Sequence, residues 1–229
     1  MYKHIFFDLD ETLWDYYANA SAVLQRLYIE FDLVDVGVEN ADVFTHAFYK
    51  GNNLAWHKFD IGEFSKETLR LNRFALVFAE MNLPATAVPD GLEEAFVSLC
   101  PREGRLIEGT IELLEYLKPK YTLHIITNGF NGTQALKMES AGIDQYFATL
   151  TTSESNGSRK PMPEIYEYAL ASAGAAASQS MMVGDKIEND VLAAERVGIH
   201  GVYYNPHSHP HTEKLRFEIK DLLELKEVL

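Results

Sequence analysis

The sequence predicts an α/β fold: a doubly wound, Rossmann-like parallel sheet core with an all-helical domain inserted near its start. Three observations predict it. A short apolar segment, His4-Ile5-Phe6-Phe7-Asp8-Leu9-Asp10, opens the chain. A stretch of helical periodicity follows, from about Tyr16 to about Leu99. Beyond Gly104, strand and helix patterns alternate, and strands separated by single helices imply a parallel sheet covered on both faces.

Each element has its own signal. The opening segment is short, apolar and aromatic, as a buried strand is, and it ends in acids. In the helical stretch Ala20, Val23, Leu24, Leu27 and Phe31 recur at three- and four-residue steps, as do Leu71, Phe74, Phe78 and Met81. Such stripes read as helix packing. Strands are then expected at Tyr121–Thr127, Phe147–Thr151, Ser180–Gly184 and Gly201–Tyr204. Between them lie helix patterns at Thr110–Lys118, Gly132–Ala141, Glu164–Ala173 and Asp190–Val197. Asp221 and Glu224 give a capping-box-like start to a last short helix. Thr12 and Thr127 are over a hundred residues apart, far more than one crossover helix needs. The sheet core is therefore assigned to 1–14 and 105–229, and the helical insert to 15–104.

Composition narrows the function. With 229 residues, 47% of them hydrophobic, the chain can bury one large core or two smaller ones. No run of about 20 uncharged apolar residues suggests a membrane span, and the N-terminus lacks the pattern of a signal peptide. Cys100 is the only cysteine, so no internal disulfide is possible and a cytoplasmic location is expected. The net charge of −14, from 20 basic and 34 acidic side chains, repels polyanions and argues against a nucleic-acid polymer as partner. Small phosphates are repelled too, so a phosphate site would need a local cation, from a metal or a placed lysine.

In open parallel sheets, ligands sit beyond the carboxyl ends of the strands. Here those ends carry Asp8 and Asp10, Thr127 and Asn128, and Asp185. Two residues apart on an extended strand, the carboxylates of Asp8 and Asp10 would point to one side, and like charges that close call for a bridging cation. Hard oxygen donors suit Mg²⁺. Asp185 adds a third carboxylate, with Asn189 and Asp190 close behind it near a helix start. Thr127-Asn128-Gly129 offers a hydroxyl and main-chain N–H groups that no Gly129 side chain obstructs, which suits phosphate oxygens. Lys160, biased towards an extended pose by Pro161, would stay protonated among carboxylates and face the phosphate.

Taken in order, Asp8-Leu9-Asp10-Glu11-Thr12, Ile126-Thr127-Asn128-Gly129, Lys160-Pro161, and Gly184-Asp185 with Asp190 resemble the haloacid dehalogenase-like hydrolase superfamily. The resemblance covers the chain outside the helical insert. It implies that Asp8 is the nucleophile and forms an aspartyl-phosphate, and that Asp10 is the acid for the leaving group and then the base for water. It implies that Thr127 and Lys160, with Asn128 and Gly129, hold the phosphate. Asp8, the main-chain carbonyl of Asp10, and Asp185 would be the protein ligands of Mg²⁺. Asn189 and Asp190 would stand behind them, orienting waters or Lys160. The physics agrees: a metal and an ammonium cancel the repulsion between a carboxylate and a phosphate dianion.

Family dehalogenases lack an acid two residues after the nucleophile, so Asp10 argues for phosphoryl chemistry. The large insert after the first strand resembles the family's helical first-position cap, which closes over the site. Within it, Asn52 to Phe59 and Arg70 to Phe74, with the Asp8 to Trp14 motif, resemble the bacterial pyrimidine 5′-nucleotidase branch. Trp56 or Phe59 suits stacking on a base, Asn52 suits reading its edge, and Arg73 is a basic candidate. The competing view makes the aromatics cap core and the arginines solvated surface.

The expected activity is Mg²⁺-dependent hydrolysis of a small-molecule phosphate monoester, a nucleoside 5′-monophosphate first. A sugar-phosphate (phosphoglycolate-type) phosphatase or a phosphomutase is the rival among enzymes. A phospho-acceptor signalling or ligand-binding protein without turnover is the rival from another class. Sequence leaves monomer and homodimer open. His207, His209 and His211 read as an ordinary loop rather than a zinc or copper site, and Cys100 as a structural thiol. The spacing of Gly129 and Gly132 is wrong for a dinucleotide loop.

Overall fold

Ile5, Phe6 and Phe7 are fully buried because their strand, β1 (His4–Phe7), has a partner on each side. The computed structural model describes residues 1–229. β2 (Thr122–Ile126), β3 (Phe147–Thr151), β4 (Ser180–Gly184), β5 (His200–Tyr204) and β6 (Glu218–Ile219) complete a six-stranded sheet in the order β3-β2-β1-β4-β5-β6. Every pairing is parallel, with Phe7 opposite Ile125 on one side and Val183 on the other. The chain winds outward from β1 to β3 and then restarts at β4 in the other direction. β1 and β4 therefore flank the switch point, where crossovers diverge and leave a crevice at the strand ends.

The chain divides into two compact units, one of Met1–Tyr16 with Arg102–Leu229 and one of Tyr17–Pro101. The sequence placed the boundaries at 14/15 and 104/105. In the first unit, α5 (Thr110–Leu117), α6 (Asn131–Ser140), α7 (Pro163–Ala173) and α8 (Ala193–Arg196) accompany the sheet. On one face, Ile165, Tyr166 and Ala169 of α7 and Ala193 and Ala194 of α8 bury against Phe6, Ile126 and Met182. A short α9 (Leu225–Val228) ends the chain behind a one-turn 3₁₀ segment, Leu222–Glu224. The Asp221 side chain accepts from Leu223 N, and that of Glu224 accepts from Lys220 N.

Two differences from expectation bear on the site. A single helix was expected at Asp190–Val197, whereas a π-helical turn over Ile187–Leu192 leads into α8. The turn begins earlier because Asp190 N bonds back to Lys186 O at 2.7 Å and its carboxylate takes Lys186 N at 2.9 Å. β6 was not foreseen; two residues are too few to show a period.

The second unit holds α1 (Tyr16–Glu30, whose first residue closes the other unit), α2 (Ala41–Asp60), α3 (Lys66–Glu80) and α4 (Leu92–Leu99). Asn40 and Ser65 cap α2 and α3 by accepting from Val43 N and Thr68 N. α2 and α3 approach closely at Gly51, where a Cβ would stand 2.6 Å from Val77 N. Phe48 meets Phe96 at 4.7 Å and Phe74 at 5.8 Å between ring centres. The stripe expected on α3 is corrected: Leu69, Arg73, Phe74, Val77 and Phe78 face inward. Leu71 lies at the outer edge of that face and is 81% exposed. No helix in the protein is long and apolar enough to cross a membrane.

The sheet also buries a histidine. His124 on β2 stacks on Phe6 at 4.6 Å, and its ring nitrogens meet Thr149 Oγ1 at 2.8 Å and His4 Nδ1 at 3.1 Å. Burial, with His4 adding to it, lowers its pKa to about 4. Below the ordinary value of 6.5 the unfolded chain takes up a proton that the folded one refuses, so stability falls as pH drops towards 4. At about 1.4 kcal/mol per unit, His124 accounts for a loss of about 2 kcal/mol between pH 7 and pH 5. His124→Phe should flatten the acid side of the stability profile by that amount in urea melts. An unchanged slope would mean that the imidazole is not the group responsible.

Candidate active site

Asp8 is the first residue beyond β1 and keeps the strand direction, its N–H bonding Val183 O at 2.9 Å. Its Oδ1 accepts from Lys160 Nζ at 2.8 Å, and the same ammonium reaches Asp190 Oδ1 at 2.6 Å. All three side chains are buried. Lys160 is placed by its main chain, which Asn128 clamps from both sides. Lys160 N donates to Asn128 Oδ1 at 2.7 Å, and Asn128 Nδ2 donates to Lys160 O at 2.9 Å. The Lys160–Pro161 peptide is cis. The loop after β2 thus fixes the loop before α7.

Asp190 reaches the site because Gly184 has no side chain: a Cβ there would lie 2.3 Å from Asp190 Cγ. Asp185 follows β4, and its Oδ1 accepts from Thr12 Oγ1 at 3.4 Å. Carboxylate oxygens of Asp8, Asp185 and Asp190 lie within 4.8 Å of one another. Burial pushes the Asp185 carboxyl well up, and the like charges of Asp8 and Asp190 add to that. Burial raises Asp8 too, against the pull of Lys160. Burial works against the charge on Lys160, but Asp190 and Asp8 outweigh it and hold the ammonium protonated.

Three acidic groups face two ammonium groups here, Lys160 and Lys186, so acids outnumber cations. Carboxylate oxygens gathered this closely can share one divalent cation, and hard oxygen donors of this kind fit Mg²⁺. Both Asp190 oxygens already accept from nitrogen, one from Lys160 Nζ and one from Lys186 N. Asp8 and Asp185 are therefore the better placed carboxylate ligands.

Asp10 stands differently from expectation. The strand stops at Phe7, and a turn follows in which Leu13 N and Trp14 N bond Leu9 O at 3.0 and 2.8 Å and Glu11 adopts a φ of 61°. The Asp10 carboxylate is absent from the acidic cluster. It turns to α6 instead, with Oδ1 2.5 Å from Lys137 Nζ and Oδ2 2.9 Å from Gln134 Nε2. The cation beside Asp10 is a lysine, set under the rings of Trp14 (4.5 Å) and Tyr16 (5.6 Å). Neither Gln134 nor Lys137 was anticipated. Their one sequence signal is that two polar residues share the stripe of α6 that also buries Met138.

Thr127 follows β2, with its hydroxyl oxygen accepting from Gly129 N at 3.2 Å and from Gln134 Nε2 at 2.8 Å. Its neighbours already have partners. The Asn128 side chain is spent on Lys160, and the Gly129 N–H on Thr127. Glycine is needed at 129 because a Cβ would sit 2.0 Å from Gln134 Nε2. Asn189 contributes its main-chain oxygen, which accepts from the Tyr166 hydroxyl.

The remaining candidates lie in the helical unit. Asn52 and Phe59 are buried in α2, and Trp56 meets Phe59 edge-on at 5.5 Å between centres. Arg73 is no surface residue: it is 5% exposed, 3.7 Å from Glu93 Oε1 and 5.3 Å from the centre of Phe96. Burial raises the Glu93 carboxyl to about 7, against Arg73 and Arg70. Elsewhere, His207 and His209 are exposed, His211 meets Glu218 at 3.3 Å, and Cys100 is buried.

Comparison with known proteins fits this geometry. The chain is 29% identical over 228 residues to the pyrimidine 5′-nucleotidase YjjG of Escherichia coli (strain K12), covering 98% of this chain and 96% of that one. It is also 29% identical over 245 residues, the full length of both, to a glyceraldehyde 3-phosphate phosphatase of Methanothermobacter thermautotrophicus. The crystal structure of the HAD-hydrolase YfnB from Bacillus subtilis, bound to magnesium, superposes with a TM-score of 0.86 at 23% identity, over 99% of this chain and 98% of that one. Residues 2–198 match the haloacid dehalogenase-like hydrolase model, and the chain belongs to that family.

Proposed function

We propose that this hydrolase is a Mg²⁺-dependent phosphatase that cleaves small phosphate monoesters through an aspartyl-phosphate on Asp8. The observation that carries the reading is the buried Lys160 ammonium, shared by Asp8 and Asp190 at 2.8 and 2.6 Å. It supplies fixed positive charge beside a carboxylate that must approach a dianion. In the first displacement an Asp8 oxygen bonds to phosphorus, the ester oxygen departs, and Asp10 gives that oxygen a proton. In the second, Asp10 takes a proton from water, the water oxygen bonds to phosphorus, and the Asp8 carboxylate leaves. Splitting the reaction in this way replaces one hard step with two easier ones. Thr127 and Lys160 hold the phosphoryl oxygens throughout. When bound by Asp8, Asp185 and the main-chain carbonyl of Asp10, Mg²⁺ would neutralise charge on those oxygens.

The favoured substrate is a nucleoside 5′-monophosphate, pyrimidine preferred. The near full-length likeness to a pyrimidine 5′-nucleotidase supports it, as do a buried amide, Asn52, and a buried guanidinium, Arg73, in the helical unit. The equal identity to a triose phosphate phosphatase supports sugar phosphates as the second reading. Phosphate release from a panel of nucleotides and sugar phosphates, with Mg²⁺ and after chelation, tests both parts. Nucleoside monophosphates should turn over fastest, and chelation should stop release until Mg²⁺ is restored. Faster turnover of sugar phosphates than of every nucleotide would overturn the substrate. Undiminished activity without metal would overturn the metal role.

A further inference from the structure

We propose that Gln134 is a positioning residue: its amide forces the Thr127 hydroxyl to act only as a donor to phosphate and holds the Asp10 carboxylate beside it. The proposal rests on the reading of Thr127 and Asp10 given above. It starts from a count of hydrogens. The amide nitrogen of Gln134 has two, and it has two acceptors, Asp10 Oδ2 at 2.9 Å and Thr127 Oγ1 at 2.8 Å. A hydroxyl offers two lone pairs and one hydrogen. At Thr127 both lone pairs are filled, one by Gln134 and one by Gly129 N at 3.2 Å. The O–H has no acceptor role left to exchange for, so an anion arriving at this strand end meets a donor.

The amide cannot be turned round. With Oε1 and Nε2 exchanged, an acceptor would face the Asp10 carboxylate. The observed orientation leaves Gln134 Oε1 buried with no hydrogen-bond partner, in a side chain that is 0% exposed. A buried acceptor in that condition is costly. That the arrangement keeps it fits a side chain held for what its nitrogen does. Two neighbours are shaped around it. Gly129 leaves room for the amide head, where a Cβ would meet Nε2 at 2.0 Å. Lys137, one turn on along α6, takes the other Asp10 oxygen at 2.5 Å. The helix therefore ties the phosphate-holding hydroxyl and the proton-transferring carboxylate into one unit.

The test is a pair of backgrounds, read with 4-nitrophenyl phosphate and Mg²⁺. Gln134→Met keeps the side-chain length and removes both donors. In the wild-type background it should lower kcat/KM roughly 10- to 100-fold, a part of the 10²–10³ that a direct donor supplies. It should also weaken inhibition by inorganic phosphate. In a Thr127→Val background, where there is no hydroxyl to orient, the same change should cost about threefold or less, because contacting residues that act together are not additive. Equal losses in both backgrounds, or no loss in either, would overturn the proposal. If Thr127→Val alone leaves kcat/KM and phosphate inhibition unchanged, Thr127 does not hold phosphate and the underlying reading fails first. Should Gln134→Met not fold, Gln134→Leu, which also lacks both donors and adds no charge, replaces it in the same comparison.

Discussion

Asp8→Asn is expected to abolish phosphate release, by at least about 10⁴-fold, while the protein stays folded. The substitution changes one oxygen to an amide nitrogen and leaves the shape alone. What it removes is the nucleophile proposed above: an amide does not displace an alcohol from phosphorus, and the proposed path through a covalent intermediate closes. Losing the nucleophile of a covalent catalyst can cost up to about 10⁶-fold, the loss known for a serine protease. Folding should survive for an electrostatic reason. Burial already raises the Asp8 carboxyl, so its charge is no gain to the apo fold. Lys160 also keeps its second partner, Asp190, at 2.6 Å. The measurement is phosphate release, with rapid quenching and mass spectrometry of the peptide that contains residue 8. A phosphorylated peptide should appear in the wild type during turnover and be missing from the variant. Release by Asp8→Asn above contaminant level would refute covalent catalysis at this residue.

Much of this site was legible because its chemistry sits where parallel sheets put it. The strand endings announced Asp8, Thr127 and Asp185, and topology explains why they meet: β1 lies between β2 and β4, so three sequence-distant loops open at one edge. Lys160 is read from its place before Pro161, and the structure shows the fixing that sequence could not, an Asn128 clamp across 32 positions. The direction expected of the Asp10 side chain differs from the observed one because the alternation rule holds only while the strand continues. A non-glycine residue, Glu11, takes a left-handed φ of 61°, which no residue preference would have suggested. The turn sends the carboxylate to α6 rather than to the cluster of Asp8, Asp185 and Asp190. Glycines 129 and 184 were read as open main chain or as motif punctuation. Their real constraint is a side chain arriving from elsewhere, Gln134 in one case and Asp190 in the other. The view that competed with a binding role put Arg73 on the surface, and only the packing of α3 beside Glu93 and Phe96 shows it buried. What stayed hidden in each case is a contact between residues far apart in sequence.

Lys160→Met should damage stability and activity together, and a second substitution should separate the two. Lys160 is 3% exposed, with Asp8 and Asp190 as partners. Removing one member of a buried ion network strands the charges of the others, at a cost of about 3–5 kcal/mol. For a protein of this size that is a fall in Tm of roughly 6–20 °C. Phosphoryl transfer loses a fixed cation at the reacting oxygens, and activity should fall about 10²–10³-fold. Asp190→Asn added to Lys160→Met removes one of the stranded carboxylates yet keeps an oxygen for Lys186 N, which Asp190 accepts at 2.9 Å. The double variant should therefore recover much of the lost Tm while its activity stays as low as that of the single one. Recovery of activity along with stability would show that Lys160 serves only the fold. An unchanged Tm in Lys160→Met would show that the buried carboxylates do not depend on it, and would remove the electrostatic basis assigned to this site.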